Sequence, residues 1–498
     1  MSKSDSDSCP RHEERRRALK ILGAGLLGLA ALSGGCTSNP GKPGERKRLS
    51  LPPSVPAPAP AQHADTSKMT YRVNPRNGDK ISVLGFGCMR FPTIPHPEDS
   101  SVSIIDEENA YKLVDYAWSH GINYYDTAYF YHDGASEAMI GKALARYPRQ
   151  SFYLADKMPT RIIESLDQAK SIFEDQLFKC QVMYFDYYLL HNLSDLASTK
   201  HVYEELGVLD YLIEQKKQGR IRNLGWSFHG DRELFLYALD KLGYDWDFVQ
   251  ILFNYNDWEF GDAAHHSESI PAQWMYEELK KRHLGFVIME PLLGGRLAKL
   301  NRSAVNIFKA ANPDVSVASW ALRYAVDPPE VICALSGMTY MEHLMDNVTT
   351  VSPFKPLSTQ ERQVIARALE AFRADFNIPC TGCNYCMPCP YGVNIPAVFS
   401  HHNKCVAEER LPDDSEDPEY KRMRREYLIG YNRMANPLQQ ASRCIGCGKC
   451  VPSCPQKLNI PVLMNQIHEL TESLLTKART NNGSPAHKIG GQNPHGRR

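Results

Sequence analysis

Gly121-Ile122-Asn123-Tyr124-Tyr125-Asp126-Thr127 decides the fold of this chain. Upstream, Asn109 to Ala117 carries apolar residues at three- and four-residue spacing, a helix that Gly121 ends. The apolar run Ile122–Asp126 follows and reads as a strand closed by a carboxylate. The same alternation extends in both directions. Strands are read at Ile81–Gly87, Ile122–Asp126, Phe152–Asp156, Phe185–Leu190, Ile221–Trp226, Phe248–Leu252, Gly285–Met289 and Val331–Ala334. Helical stretches are read at 136–146, 161–179, 200–218, 231–242, 272–283, 315–326 and 340–349. Eight strand–helix repeats predict an α/β chain closed into a parallel (β/α)8 TIM barrel, with a large doubly wound sheet as the alternative.

A barrel takes about 250 residues, so the 498 residues here leave room for more than one domain. Hydrophobic residues make up 43% and charged residues 23%, the balance of a soluble globular protein. Lys+Arg and Asp+Glu both count 57, so whole-chain electrostatics point to neither nucleic acid nor an anionic membrane.

In a parallel barrel the chemistry gathers where strands end at their C-terminal side. Asp126 ends the second predicted strand, Lys157 follows the third, His191 the fourth and Ser227 the fifth. Singly, such an Asp is a helix cap and such a Lys is solvated. Three ionisable residues at successive strand ends converge on one mouth.

Those strand ends resemble the aldo/keto reductase family. Asp126-Thr127-Ala128-Tyr129-Phe130-Tyr131 is similar to its D-T-A-x-x-Y signature, with Glu137 and Ile140-Gly141 at the family spacing. Leu84-Gly85-Phe86-Gly87-Cys88-Met89-Arg90 is similar to its opening strand, and Asp186-Tyr187-Tyr188-Leu189-Leu190-His191 to its fourth. The resemblance implies a catalytic tetrad of Asp126, Tyr131, Lys157 and His191 acting on a small-molecule carbonyl/alcohol substrate. A free Tyr titrates near pH 10; a neighbouring Lys is expected to lower that value, making Tyr131 the general acid for reduction and the base for oxidation. The alternative for Tyr131 is an aromatic wall residue among Tyr124, Tyr125 and Tyr129.

The family further implies a nicotinamide, NADP(H) or NAD(H). Ser227 and Gln250 match its carboxamide contacts, although Phe228 stands where an Asn normally follows the Ser. Met289 stands where a Tyr often stacks on the ring. Gly294-Gly295-Arg296-Leu297 is a candidate wrap for the pyrophosphate, or a plain turn. The last phosphate loop, Ser336-Gly337-Met338-Thr339 with His343 and Asn347, lacks the family's Lys and Arg, so Gly337 and Asn347 are its remaining candidates.

Fourteen cysteines are present. Cys88, Cys180, Cys333 and Cys405 are scattered, as Cys9 and Cys36 are, and Cys180 and Cys333 read as small buried hydrophobes. Eight others form two runs. Cys444, Cys447, Cys450 and Cys454-Pro455 read C-x2-C-x2-C-x3-C-P, the bacterial ferredoxin run for 4Fe-4S clusters. Cys380, Cys383, Cys386 and Cys389-Pro390 form a second run, one residue shorter before its last Cys. Four thiolates also suit zinc; the spacing and terminal Pro favour cubanes. The likeness to two-cluster ferredoxins implies Cys380, Cys383, Cys386 and Cys454 on one 4Fe-4S cluster, and Cys444, Cys447, Cys450 and Cys389 on the other. Helices are read at 394–408 and 417–431 between the runs, giving a mainly helical ferredoxin-like two-cluster domain. Acidic 413–419 and basic 421–425 read as solvated faces or as a docking site for a redox partner protein.

Arg15-Arg16-Arg17-Ala18-Leu19-Lys20 and the apolar run Ile21–Leu32 resemble a twin-arginine export signal, with Ala18 where Phe is usual. Cys36 follows Ser33-Gly34-Gly35, similar to a lipoprotein cleavage site, so any membrane contact would run through a lipid anchor at Cys36. The expected organisation is an export signal at 1–36, a Pro-rich linker at 37–70, the barrel at 71–350, the 4Fe-4S domain at 351–478 and a disordered tail at 479–498. The expected location is periplasmic, free or as a membrane-anchored lipoprotein. Two readings of function stand. One is a nicotinamide-dependent oxidoreductase with linked 4Fe-4S electron transfer. The other is an exported iron–sulfur electron-transfer protein whose barrel does not use nicotinamide. Hydride moves two electrons and each cluster one, and no flavin signature joins them. Loop 256–271, with His265 and His266, carries no interpretable substrate pattern.

Overall fold

The computed structural model describes residues 55–61, 65–259, 270–373, 378–408, 410–412 and 419–481. The export signal read at 1–36, the lipidation candidate Cys36, and His265 and His266 lie outside the described residues.

Eight parallel strands close a barrel in sequence order: β1 Leu84–Gly87, β2 Tyr124–Asp126, β3 Tyr153–Met158, β4 Phe185–Leu193, β5 Ile221–Phe228, β6 Phe248–Leu252, β7 Phe286–Met289 and β8 Val331–Ser336. The register sets the strand ends level, with Gly87 beside Asp126, Asp126 beside Ala155, Lys157 beside Leu189 and Ser227 beside Gln250. Inside the barrel, Tyr124, Ala155, Tyr187, Leu189, Phe248, Val287 and Cys333 interdigitate. Each is fully buried, so the barrel is a packed core and not a pore. A larger apolar layer joins the outer strand faces to the surrounding helices. There Gly141 lies against the Lys179 carbonyl and the Cys180 backbone, an approach a side chain would block.

Several boundaries differ from the sequence reading. The first predicted strand is two: Lys80–Ser82 pairs antiparallel with Tyr71–Val73, and Ile81 plugs the N-terminal end of the barrel core. A hairpin, Thr93–His96 with Asp99–Ile105, is inserted before the first barrel helix, Glu107–Ser119. The helix read at 200–218 is broken at Gly207, whose φ of 70° is left-handed. The described part of the Pro-rich linker runs along the barrel and is not a free tether. Arg146 donates to the Pro58 carbonyl at 3.2 Å, and Ala61 N–H donates to Tyr147 Oη at 3.1 Å.

Beyond the barrel, Thr359–Arg373 packs on Arg302–Ala311 through Phe308, Ala368 and Phe372. The cysteine-rich region builds its own core from Ile378, Val393, Val398, Phe399, Tyr431, Ile460 and Met464, with six cluster-run cysteines at its edge. Its helices are Ile395–Ala407, Tyr420–Met434 and Ile460–Asn481, the last running past the boundary read at 479. Among the described residues no helix is long and apolar enough to cross a membrane.

Candidate active site and cluster centres

Asp126, Tyr131, Lys157 and His191 meet at the C-terminal mouth of the barrel. Lys157 Nζ donates to Asp126 Oδ1 at 2.5 Å and to the Thr127 carbonyl at 2.7 Å, and stands 3.5 Å from the Tyr131 hydroxyl. The Lys157 and Asp126 side chains are only 1% and 3% exposed. The His191 ring lies edge-on to the Tyr131 ring, with centroids 6.3 Å apart.

Local structure fixes each group. Asp126 and Lys157 lie on neighbouring strands, so their backbones are held by the sheet ladder. Gln176 braces the end of β3 by donating to the Lys157 carbonyl at 2.9 Å and to Glu137 at 3.0 Å. Tyr131 opens a tight turn in which His132 and Asp133 take positive φ values of 52° and 54°. His132 Nε2 pins that turn by accepting from Phe91 N–H at 3.1 Å.

The electrostatics correct one expectation. Tyr131 is half-buried as a residue, but its hydroxyl is enclosed. Burial pushes its pKa well above the usual phenol value, and the Asp126 carboxylate adds to the rise. Lys157, 3.5 Å from the hydroxyl and already bonded to Asp126 and Thr127, does not offset that rise. The phenol is therefore held protonated, as a proton donor. Burial, helped by Lys157, holds His191 well below the usual imidazole range, so it is neutral. Burial also raises Asp126, opposed by Lys157.

The nicotinamide candidates divide into two groups. Ser227 and Gln250 sit side by side at the strand ends, both 2% exposed. Ser227 Oγ accepts from Asn192 N–H at 2.8 Å, while buried Gln250 Oε1 makes no hydrogen bond. That unpaired oxygen calls for an N–H donor, which a carboxamide has. Phe228 instead packs on Trp226 and Phe235. The phosphate end does not fit in this arrangement. A Cβ on Gly294 would come 2.6 Å from the Cβ and carbonyl oxygen of Thr381, so the cluster domain fills that space. Gly337 is covered by the Arg90 side chain. Asn347 Nδ2 is spent on Ser336 Oγ at 2.9 Å.

The cluster-run cysteines line two hollows, and Cys386 borders both. A cavity of about 280 Å³ is lined by Cys389, Cys444, Cys447 and Cys450, with Cys386 on its wall. A smaller one, about 20 Å³, is lined by Cys380, Cys383, Cys386 and Cys454. Two sets of four thiols, each around its own hollow, have the donor chemistry for two cubanes. Cys447 is exposed at the surface, so the larger centre is the outer one.

The sequence reading did not find the residues joining the two regions. Arg90 donates to the Thr381 carbonyl at 2.5 Å, and Arg161 to Ser453 Oγ at 3.1 Å. Arg161 also stands 5.7 Å from the centre of the Tyr385 ring. Glu290, at the end of β7, lies 3.4 Å from Gln456 Nε2.

With this geometry, the chain's relatives can be stated. The profile of the Aldo/keto reductase family matches residues 83–370, more than half the chain, and the protein belongs to that family. A 4Fe-4S dicluster domain profile matches residues 379–459. Probable aldo-keto reductase 1 of Glycine max is 30% identical over 158 residues, which are 30% of this chain and 42% of that protein. L-galactose dehydrogenase of Arabidopsis thaliana is 23% identical over 316 residues, 59% of this chain and 92% of that protein. Among solved structures, the holo form of an aldo-keto reductase from Bacillus halodurans is 23% identical, with a TM-score of 0.47, over 60% of this chain and 96% of its own.

Proposed function

We propose that this protein interconverts a carbonyl and an alcohol at the barrel mouth, with Tyr131 as proton donor and acceptor, and that two 4Fe-4S clusters in its C-terminal domain exchange electrons with that site. The observation that carries the reading is the buried Lys157–Asp126 pair beside the Tyr131 hydroxyl.

Reducing a carbonyl places a developing alkoxide near Tyr131. A phenol kept protonated by burial gives its proton to that oxygen, and the Lys157 ammonium stabilises the phenolate left behind. Neutral His191 donates a hydrogen bond to the carbonyl without adding charge. Asp126 holds the ammonium in place. Ser227 and Gln250 suit the carboxamide of a nicotinamide, the electron source the family implies. The second reading, a barrel that does not use nicotinamide, is favoured by Thr381 lying against Gly294. The resemblance of residues 1–36 to an export signal supports a periplasmic protein, free or held as a membrane-anchored lipoprotein, which cell fractionation tests.

The test supplies purified holoprotein with a panel of aldehydes and ketones, using NADPH, NADH or reduced viologen as electron donor. Turnover in the native protein and its loss in Tyr131→Phe are expected. Full turnover in that variant defeats the assignment.

A further inference from the structure

The start of the cluster-binding segment lies across the barrel mouth. Arg90 Nη2 donates to the Thr381 carbonyl at 2.5 Å and its Nη1 to the Gly382 carbonyl at 3.3 Å. Thr381 presses on Gly294, and the Arg90 stem presses on Gly337. Gln456 reaches Glu290 at 3.4 Å. Tyr385, between Cys383 and Cys386, is half-buried, with the Arg161 guanidinium 5.7 Å from its ring centre.

A dinucleotide needs open backbone N–H groups and free cations along its phosphates. Here Thr381 lies against Gly294 and the Arg90 stem against Gly337, while Gly295 has open space beside it, and Arg90 is spent on two carbonyls. The cover is made by the segment that carries the inner cluster's ligands.

We propose that the segment Thr381–Tyr385 takes the phosphate end of the dinucleotide groove, so that the docked protein binds no NAD(P)H and the barrel draws its electrons from the cluster held by Cys380, Cys383, Cys386 and Cys454. The inference rests on the barrel mouth being the reaction site. Reduction of a carbonyl to its alcohol then takes one electron from each of two reduced clusters. Tyr131 gives the proton that ends on oxygen and is reprotonated from solvent, and water gives the one that ends on carbon, leaving hydroxide to the solvent. Both clusters finish oxidised, and a one-electron carrier protein re-reduces them.

The test uses holoprotein with both clusters assembled. It is titrated anaerobically with NADPH and with NADH, read by calorimetry for binding and by electron paramagnetic resonance for cluster reduction. The expected result is no saturable heat up to about 1 mM and no cluster signal, against a full signal with dithionite. The double variant Arg90→Ala/Gln456→Ala loosens the cover while keeping all eight cysteines. It is expected to gain binding by at least about tenfold, or 1.4 kcal/mol. Native protein that binds either nucleotide below about 10 µM, or whose clusters NADPH reduces, overturns the proposal. So does a folded double variant, judged by cluster absorbance and circular dichroism, that gains nothing. If that variant does not assemble, the native titration decides alone. The Tyr131 test reads turnover and this one reads binding, so the two assignments fail separately.

Discussion

Replacing Lys157 with Met removes the positive partner of a carboxylate that has almost no access to water. The two side chains are 1% and 3% exposed and meet at 2.5 Å. The second oxygen of Asp126 is buried and makes no hydrogen bond, so Lys157 is the main compensation for its charge. Breaking a buried pair by removing one member costs about 3–5 kcal/mol, because the remaining charge is uncompensated. At about 2–4 °C per kcal/mol for a large domain, Tm should fall by roughly 6–20 °C. Replacing both members with apolar residues of similar size leaves no stranded charge. Asp126→Leu/Lys157→Met should therefore return to within about 1 kcal/mol of the native protein. Scanning fluorimetry and guanidinium midpoints on the native, single and double forms measure this recovery. Activity should be absent from both variants, separating the fold's use of the pair from the chemistry's. A single variant losing less than about 1 kcal/mol, or a double variant no more stable than the single, refutes the reasoning.

Tyr131→Phe should lower kcat by at least about 100-fold with Tm unchanged, read by steady-state kinetics; equal losses of stability and activity would argue for a structural role. Cys447→Ser and Cys383→Ser should each reduce iron from about eight to about four atoms per chain, with the outer and inner centres lost respectively; loss of all iron in both would show that the two sites do not assemble independently. Gly141→Ala should destabilise by about 1–3 kcal/mol, since its Cα faces the Lys179 carbonyl; guanidinium unfolding measures this. Burial holds buried His402 down to about 4 and keeps His191 well below its usual range. The unfolded chain takes up protons first as pH falls below about 6.5. The stability these residues contribute is thus complete above that pH and is lost toward pH 4, at up to about 1.4 kcal/mol per unit for each. Tm should be lower at pH 5 than at pH 7, and a flat profile would count against it.

The barrel was legible because its code is local. Each strand is a short apolar run, each helix has its own period, and a strand-end residue such as Asp126 or Lys157 declares its position by where the run stops. The cluster cysteines were legible for the same reason, since two- and three-residue gaps bring thiols together without help from distant chain. The inserted hairpin Thr93–Ile105 was not, because His96-Pro97 and the polar residues after it break the alternation that marks a strand. The direction of the Tyr131 shift was not either. Sequence places a lysine near a phenol, but it does not say that Asp126 and the Thr127 carbonyl take up the ammonium first. Least legible was the docking of the cluster domain. Arg90 and Thr381 are 291 residues apart, and no period or motif links an arginine after a first strand to a carbonyl between two cluster cysteines. On the proposed reading that contact controls the chemistry, because it decides whether the strand ends meet a nucleotide or an iron–sulfur centre. Two domains each readable alone thus meet at a surface which, on that reading, sets the electron source of the site.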